Sequence, residues 1–419
     1  MQQGQFVADV LYFYGEDSNI TELYARSLPA IPEGYNFDFA NLQALSLLSV
    51  NDGALVTQSG MRYRVLALDP RARIMSLPVL IRLRDLVDAG AILVAAKPLA
   101  SPSLADDATA FRSIADTLWG VGVDGSGGEH VVGKGRIISD LSLADALHSI
   151  GVQPDFSYTK PASDSKLLFV HRHLSDGDLY FVNNRQPRAE TIDASFRITD
   201  KVPESWWADT GRMEPVSYSS ANGRTTVQLA LQAVDAVFVV FRKDASQSAL
   251  TVAQPVHESL LTLDGAWELH FPDGQAAPAT LKVTKLASWT QSGDPGIKYF
   301  SGTVSYLHGL KVPASWLNKS RRIEIDLGEV KNVAQVWLNG KPLGVLWKAP
   351  FRLDITDALH SGANQLEVKV TNTWVNRMIG DKQPGARPYA FATFEPYRAD
   401  SQLLDSGLLG PVRLLGTHP

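Results

Sequence analysis

The chain has 419 residues and no cysteine. That absence removes disulfides, thiolate metal sites and any cysteine nucleophile together. Basic charge is also in short supply. The 39 Lys and Arg stand against 44 Asp and Glu, for a net charge of −5. Phosphate binding needs a basic face, so this balance argues against nucleic acid as a main partner. No run approaches the ~18 consecutive apolar residues of a membrane span, and no membrane partner is expected. The start, Met1-Gln2-Gln3-Gly4-Gln5, has no basic residue and no apolar stretch of the signal-peptide kind follows. Instead it runs into Val7-Ala8-Asp9-Val10-Leu11-Tyr12-Phe13-Tyr14. A buried strand is odd so near Met1, and the expectation is that something once preceded it.

What is present points to several domains, because 419 residues exceed one ordinary core. Residues 1–155 alternate strand and helix signals. Short apolar runs at 10–14, 62–68 and 91–96 read as strands. Residues 76–89 read as a helix, with Ser76 as cap, Leu80, Leu83 and Val87 on one face, and Gly90 as the stop. Further helices fit 106–119 and 142–150, and a strand fits 135–139. Strand, helix, glycine, strand is the signature of a parallel sheet, here an α/β, flavodoxin-like domain. The pattern changes near Gln153-Pro154. From 156 to 245 only strands recur, in a small β-sandwich domain. There Ser175-Asp176-Gly177 is a hairpin turn, and 225–231 is expected to pair with 236–241. Residues 243–258 form a polar linker. Beyond it, over 259–419, short strands recur with turn signals, as in a sandwich or jelly roll. Asn339-Gly340 is the strongest hairpin signal of the chain.

Few motifs carry chemistry. Gly120-Val121-Gly122-Val123-Asp124-Gly125 has dinucleotide-binding spacing, but it follows a helix instead of opening one, and reads as a loop. Ser126 fails the nucleophile-elbow pattern. Glu16 and Asp17 follow the first strand, at the edge where open α/β sheets bind ligands. They are candidates for holding sugar hydroxyls, while Asn19 and Glu22 fit a helix-capping box. His171 and His173 share one side of a strand near Asp176 and Asp178, but turn aspartates need no metal to explain them. Trp206 and Trp207 point to opposite faces, and core packing is favoured over a sugar platform. Trp267, Trp337 and Trp374 lie in strand-like runs and are expected in the core. Two irregular stretches, Trp374 to Asp381 and Phe394 to Asp400, are rich in polar and aromatic groups. Loops of this kind on a rigid sandwich gather binding residues, which makes Arg377, Asp381, Tyr397 and Asp400 the remaining substrate-binding candidates. No pair among the 44 acidic residues is singled out as a glycosidase acid and base.

Leu263-Asp264-Gly265-Ala266-Trp267-Glu268-Leu269 resembles the opening strand of the galactose-binding-like sandwiches of glycoside hydrolases. Val336-Trp337-Leu338-Asn339-Gly340-Lys341-Pro342-Leu343-Gly344 resembles their central hairpin. Asp9-Val10-Leu11-Tyr12-Phe13-Tyr14-Gly15-Glu16-Asp17, Pro32-Glu33-Gly34-Tyr35-Asn36-Phe37-Asp38 and Ser406-Gly407-Leu408-Leu409-Gly410-Pro411-Val412 are similar to glycoside hydrolase family 106, the α-L-rhamnosidases. The resemblance implies a catalytic barrel followed by α/β and β domains. It also implies hydrolysis of terminal α-L-rhamnosides with calcium at the sugar hydroxyls.

This chain lacks the barrel, so no catalytic residue and no metal ligand is assigned to it. The expectation is the C-terminal accessory portion of a rhamnosidase-like hydrolase, inactive alone. The parent barrel would be its partner, a rhamnose-containing glycan its substrate, and a periplasmic or secreted parent its setting. The alternative is a standalone carbohydrate-binding protein. Catalysis by the α/β domain in the manner of amidotransferases is set aside, since their usual nucleophile is cysteine.

Overall fold

The computed structural model describes residues 2–16, 29–121, 128–253, 256–317 and 321–418. The protein is mostly β-sheet. It divides into two compact units, residues 1–252 and 253–419.

The first unit opens with a parallel sheet. In spatial order its strands are Phe37–Ala40, Val10–Phe13, Val65–Leu68, Ile92–Val94 and Gly135–Ile138, with Glu129–Val132 antiparallel at the far edge. Counted along the chain, the five parallel strands stand in the order 2-1-3-4-5. The two central strands are buried at every position, as a sheet covered on both faces requires. Alternate side chains feed separate cores. Leu11, Phe13, Leu66 and Leu68 pack under the helices Leu77–Asp88 and Ala108–Trp119. Val10, Tyr12, Val65 and Ala67 face Ala146 and Leu147 of the helix Leu143–Ser149. The expected strand at 62–68 is split. Arg62–Tyr63 joins a small antiparallel sheet with Ser49–Asn51 and Ala54–Val56, and only Val65–Leu68 enters the parallel one.

The rest of this unit is a sandwich of two antiparallel sheets. Tyr180, Val182, Val237, Val239 and Phe241 of one sheet pack on Ile192, Phe196, Val227, Leu229 and Leu231 of the other. The expected pairing of 225–231 with 236–241 is wrong. Arg224–Leu231 pairs with Glu190–Phe196, whereas Ala236–Asp244 pairs with Gly177–Asn184 in the opposite sheet. The connection between them crosses the sandwich instead of turning back. Asp235 fixes it by accepting from the Gln232 and Ala236 amides. Gln5–Phe6 is an edge strand of this sandwich, paired to His173 and Arg172, although the chain then continues into the parallel sheet. Asp9, just before that sheet, takes the Arg197 guanidinium at 3.0 Å on both oxygens.

The second unit is a two-sheet sandwich. Six strands, among them Trp267–His270, Thr303–Val312, Gly362–Thr371 and Val333–Leu338, oppose a four-stranded sheet that includes Arg322–Asp326 and Arg413–His418. Asn339 and Gly340 both take positive φ, and they join Val333–Leu338 to Lys341–Leu346 as that dipeptide predicts. The Asn339 side chain also holds the Ala358 carbonyl and the Gln365 amide. Trp267 lies in the core beside Tyr306. The other two expected core tryptophans do not. Trp337 is half-buried on the outward face, with Lys369 4.3 Å from its ring, and Trp374 is 52% exposed beyond the end of its strand.

Candidate functional site

At the carboxyl edge of the parallel sheet, Glu16 turns its carboxylate on a helix start. Its oxygens accept from the Ser76 backbone N–H at 2.6 Å and the Ser76 hydroxyl at 2.8 Å. Asp106 accepts from the Leu77 amide at 2.7 Å. The first amides of Leu77–Asp88 are therefore satisfied by two carboxylates distant in sequence, and the expected Ser76 side-chain cap is not made. Beside them Asp69 accepts from the backbone and side chain of Arg71, which hold its carboxyl below the usual range. Lys97 is paired with Asp116. The polar groups of this edge serve each other. Asp17, Asn19, Glu22 and the glycines from Gly122 to Gly125 lie outside the described residues.

His171 and His173 do share one side of their strand, and the groups they meet are aspartates. His171 is buried, with Asp155 at 2.8 Å from Nδ1 and Asp178 at 3.0 Å from Nε2. His173 is exposed and meets the same Asp178 at 2.9 Å. Burial alone would lower the His171 pKa, but its hydrogen bonds to Asp155 and Asp178 raise it above the ordinary histidine value. Trp206 and Trp207 are both half-buried, and their indole N–H groups donate to Glu204 and Glu214. Calcium needs six to eight oxygen ligands. Among the described residues no three His, Asp or Glu side chains converge to hold a metal.

In the second unit Arg377 and Asp381 pair with each other, while Tyr397 and Asp400 lie further along the same irregular segment. The short helix Val375–Gly380 buries Asn376 and Arg377. Arg377 Nε lies 2.8 Å from Asp381 Oδ1, and both side chains are buried. Gly380 leaves room for them, since a Cβ there would come within 2.5 Å of the Arg377 guanidinium and of Tyr299. The second Asp381 oxygen accepts the amides of Tyr389 and Ala390 at 3.0 and 2.7 Å. The guanidinium stands 5.0 Å from the Tyr389 ring. One ion pair therefore ties the helix to a loop eight residues on. Asn376 exchanges hydrogen bonds with the backbone of Leu404, and Gln383 donates to the Ala399 carbonyl. Tyr397 is half-buried, while Asp400 is exposed opposite Arg398.

Of the aromatic side chains that face outward from this loop, Phe394 opens a stretch that the sequence singles out, but neither it nor Phe391 is among the candidates. Phe391 is 90% exposed and Phe394 76%. The signal was there: Pro384-Gly385 and Pro388 break any strand or helix period, so aromatics that follow them have no core face to occupy.

A family model described as alpha-L-rhamnosidase, glycoside hydrolase family 106, matches residues 1–220. A glycosyl hydrolase 2 galactose-binding domain-like model matches residues 299–401. The chain is similar to the solved structure of a rhamnosidase from Novosphingobium sp. PP1Y, with a TM-score of 0.89 and 41% identity. That similarity covers 99% of this chain and 39% of the other. A curated protein of Formosa agariphila, named as a putative beta-glucuronidase, is 25% identical over 99% of this chain and 56% of its own length. The chain thus spans well under two thirds of either relative.

Proposed function

The chain belongs to glycoside hydrolase family 106, the α-L-rhamnosidases, and from that premise we propose that it is the accessory portion of a hydrolase that removes terminal α-L-rhamnosides. The catalytic carboxylates, and the calcium that holds the sugar hydroxyls, belong in this proposal to a barrel outside the chain. The partner of the chain is that barrel, and its substrate is a rhamnose-bearing glycan or glycoside. The order of the parallel sheet supports a flavodoxin-like first domain, and the second unit serves as a galactose-binding-like sandwich.

One observation carries the accessory role. Glycosidase chemistry needs two carboxyl groups facing each other across a bond, about 5 to 9.5 Å apart, and free to exchange protons with substrate or water. Each buried carboxylate among the described residues faces protein donors or a cation, although one Glu190 oxygen accepts no hydrogen bond. Asp9 is held by Arg197, Asp69 by Arg71, and Asp155 by His171 and Tyr180. Glu190 is held by Ser165 and Arg188, and Asp235 by two backbone amides. In this reading none of them serves as general acid or base, even though burial raises the Asp9 carboxyl above its ordinary range.

The test is incubation of the purified chain with a chromogenic α-L-rhamnoside and calcium. No turnover above the uncatalysed rate is expected. Turnover at enzyme-like rates would overturn the proposal.

A further inference from the structure

Residues 381–405 link the helix Val375–Gly380 to the strand Gly407–Gly410 without regular secondary structure. Even so, they are held in place. The Asp381 carboxylate, the Asn376 amide and the Gln383 amide each fix a different point of the loop. On this braced frame Phe391 and Phe394 stand almost fully in solvent, and Trp374 and Leu404 are about half exposed. Single apolar residues on a surface are ordinary. Several large ones on one pre-ordered loop mark a contact surface.

The chemistry of the loop selects between occupants. A saccharide site needs free donors and acceptors beside its aromatic rings. Here most charged groups already face an opposite charge, Arg377 with Asp381, Lys382 with Glu395, and Arg398 with Asp400, while the Arg387 guanidinium lies 5.9 Å from the Tyr389 ring. The largest apolar side chains this loop turns to solvent are the two phenyl rings. A phenyl pair whose neighbouring charges mostly face opposite charges suits an apolar depression on a protein.

We propose that Phe391 and Phe394 seat in the catalytic portion of the longer rhamnosidase-like protein, and that the Arg377–Asp381 pair acts by holding them at the angle this contact requires. The proposal rests on the accessory role given above. The similar rhamnosidase supplies the occupant, because this chain accounts for only 39% of it.

The first test is superposition on that solved rhamnosidase. The counterpart of residues 389–396 is expected to lose most of its accessible surface to the part of that chain which has no equivalent here. A counterpart open to solvent overturns the docking proposal and leaves the accessory role standing, since that role is decided by the turnover assay. The second test is the double variant Phe391→Ser/Phe394→Ser. In this chain alone its melting midpoint should match wild type. In a chimera where this chain replaces the matching part of the rhamnosidase, the midpoint should fall by several degrees and rhamnoside turnover should drop. An unchanged chimera overturns the proposal. So does calorimetric binding of a rhamnose oligosaccharide to the isolated chain that the double variant abolishes, or a dimer in light scattering that it dissolves. If the chimera fails to fold, the superposition decides.

Discussion

The ring of His171 lies nearly parallel to that of Tyr180, with centroids 4.0 Å apart, and both side chains hydrogen-bond one carboxylate, that of Asp155. Both rings are buried, and Tyr180 belongs to the core of the small sandwich. Arg197, 3.6 Å from Asp155 through Nε, carries the network on to Asp9 at the start of the parallel sheet.

This arrangement fixes a sign for the pH dependence. The folded pKa of His171 is raised above its unfolded value, because two carboxylates outweigh burial. The stability it contributes is fully present below the ordinary histidine range and fades as pH rises through the folded pKa. His171→Gln should therefore cost most near pH 6 and least near pH 9. A penalty of about 3 kcal/mol at the lower pH is the expected scale for a broken buried pair. Urea unfolding at the two pH values checks it, and a penalty independent of pH would contradict the sign.

Asp381→Ala removes one side of a buried ion pair and strands the Tyr389 and Ala390 amides. The expected loss is about 3 to 5 kcal/mol, with most of it local to residues 382–405. Limited proteolysis should cut there first in the variant. Asp381→Asn keeps an acceptor and should lose less.

Glu16→Ala deprives the start of the helix Leu77–Asp88 of one of its two carboxylates. About 1 kcal/mol is expected, the usual worth of a cap. A double-mutant cycle with Ser76→Ala should show coupling, and strictly additive losses would place the cap elsewhere.

Gly407→Ala introduces a Cβ 2.5 Å from Trp289 Nε1 and 2.6 Å from the Tyr306 hydroxyl, at a φ of +103°. Both groups are buried and hydrogen-bonded to each other. Overpacking and backbone strain add in the same direction, for a loss of about 3 kcal/mol or more. Thermal denaturation reads it directly.

The central parallel strands were legible because burial on both faces leaves continuous apolar runs, as in Val65–Leu68. The Asn339-Gly340 hairpin was legible because only such residues adopt two successive positive φ values cheaply. Pairing was less so. Nothing local tells Arg224–Leu231 that its sequence neighbour belongs to the opposite sheet, and the crossing depends on a core that both sheets build together. Trp374 looked like core because it follows a cleanly alternating strand, yet Gly362–Thr371 ends before it. Around the candidate site, sequence picked out Arg377 and Asp381 by type and setting. It missed that they spend their charge on each other, because an i,i+4 pair can equally face solvent.

The edge strand Gln5–Phe6 belongs to the small sandwich, while the next strand, Val10–Phe13, is the middle of the parallel sheet. The polypeptide is therefore laced through both halves of its first unit before either half is complete. A gene recombination with its breakpoint near residue 154 would look like a clean exchange of domains on a linear map. It would in fact hand each recipient a sheet with a strand from the wrong parent, so inheritance should have kept these two halves together.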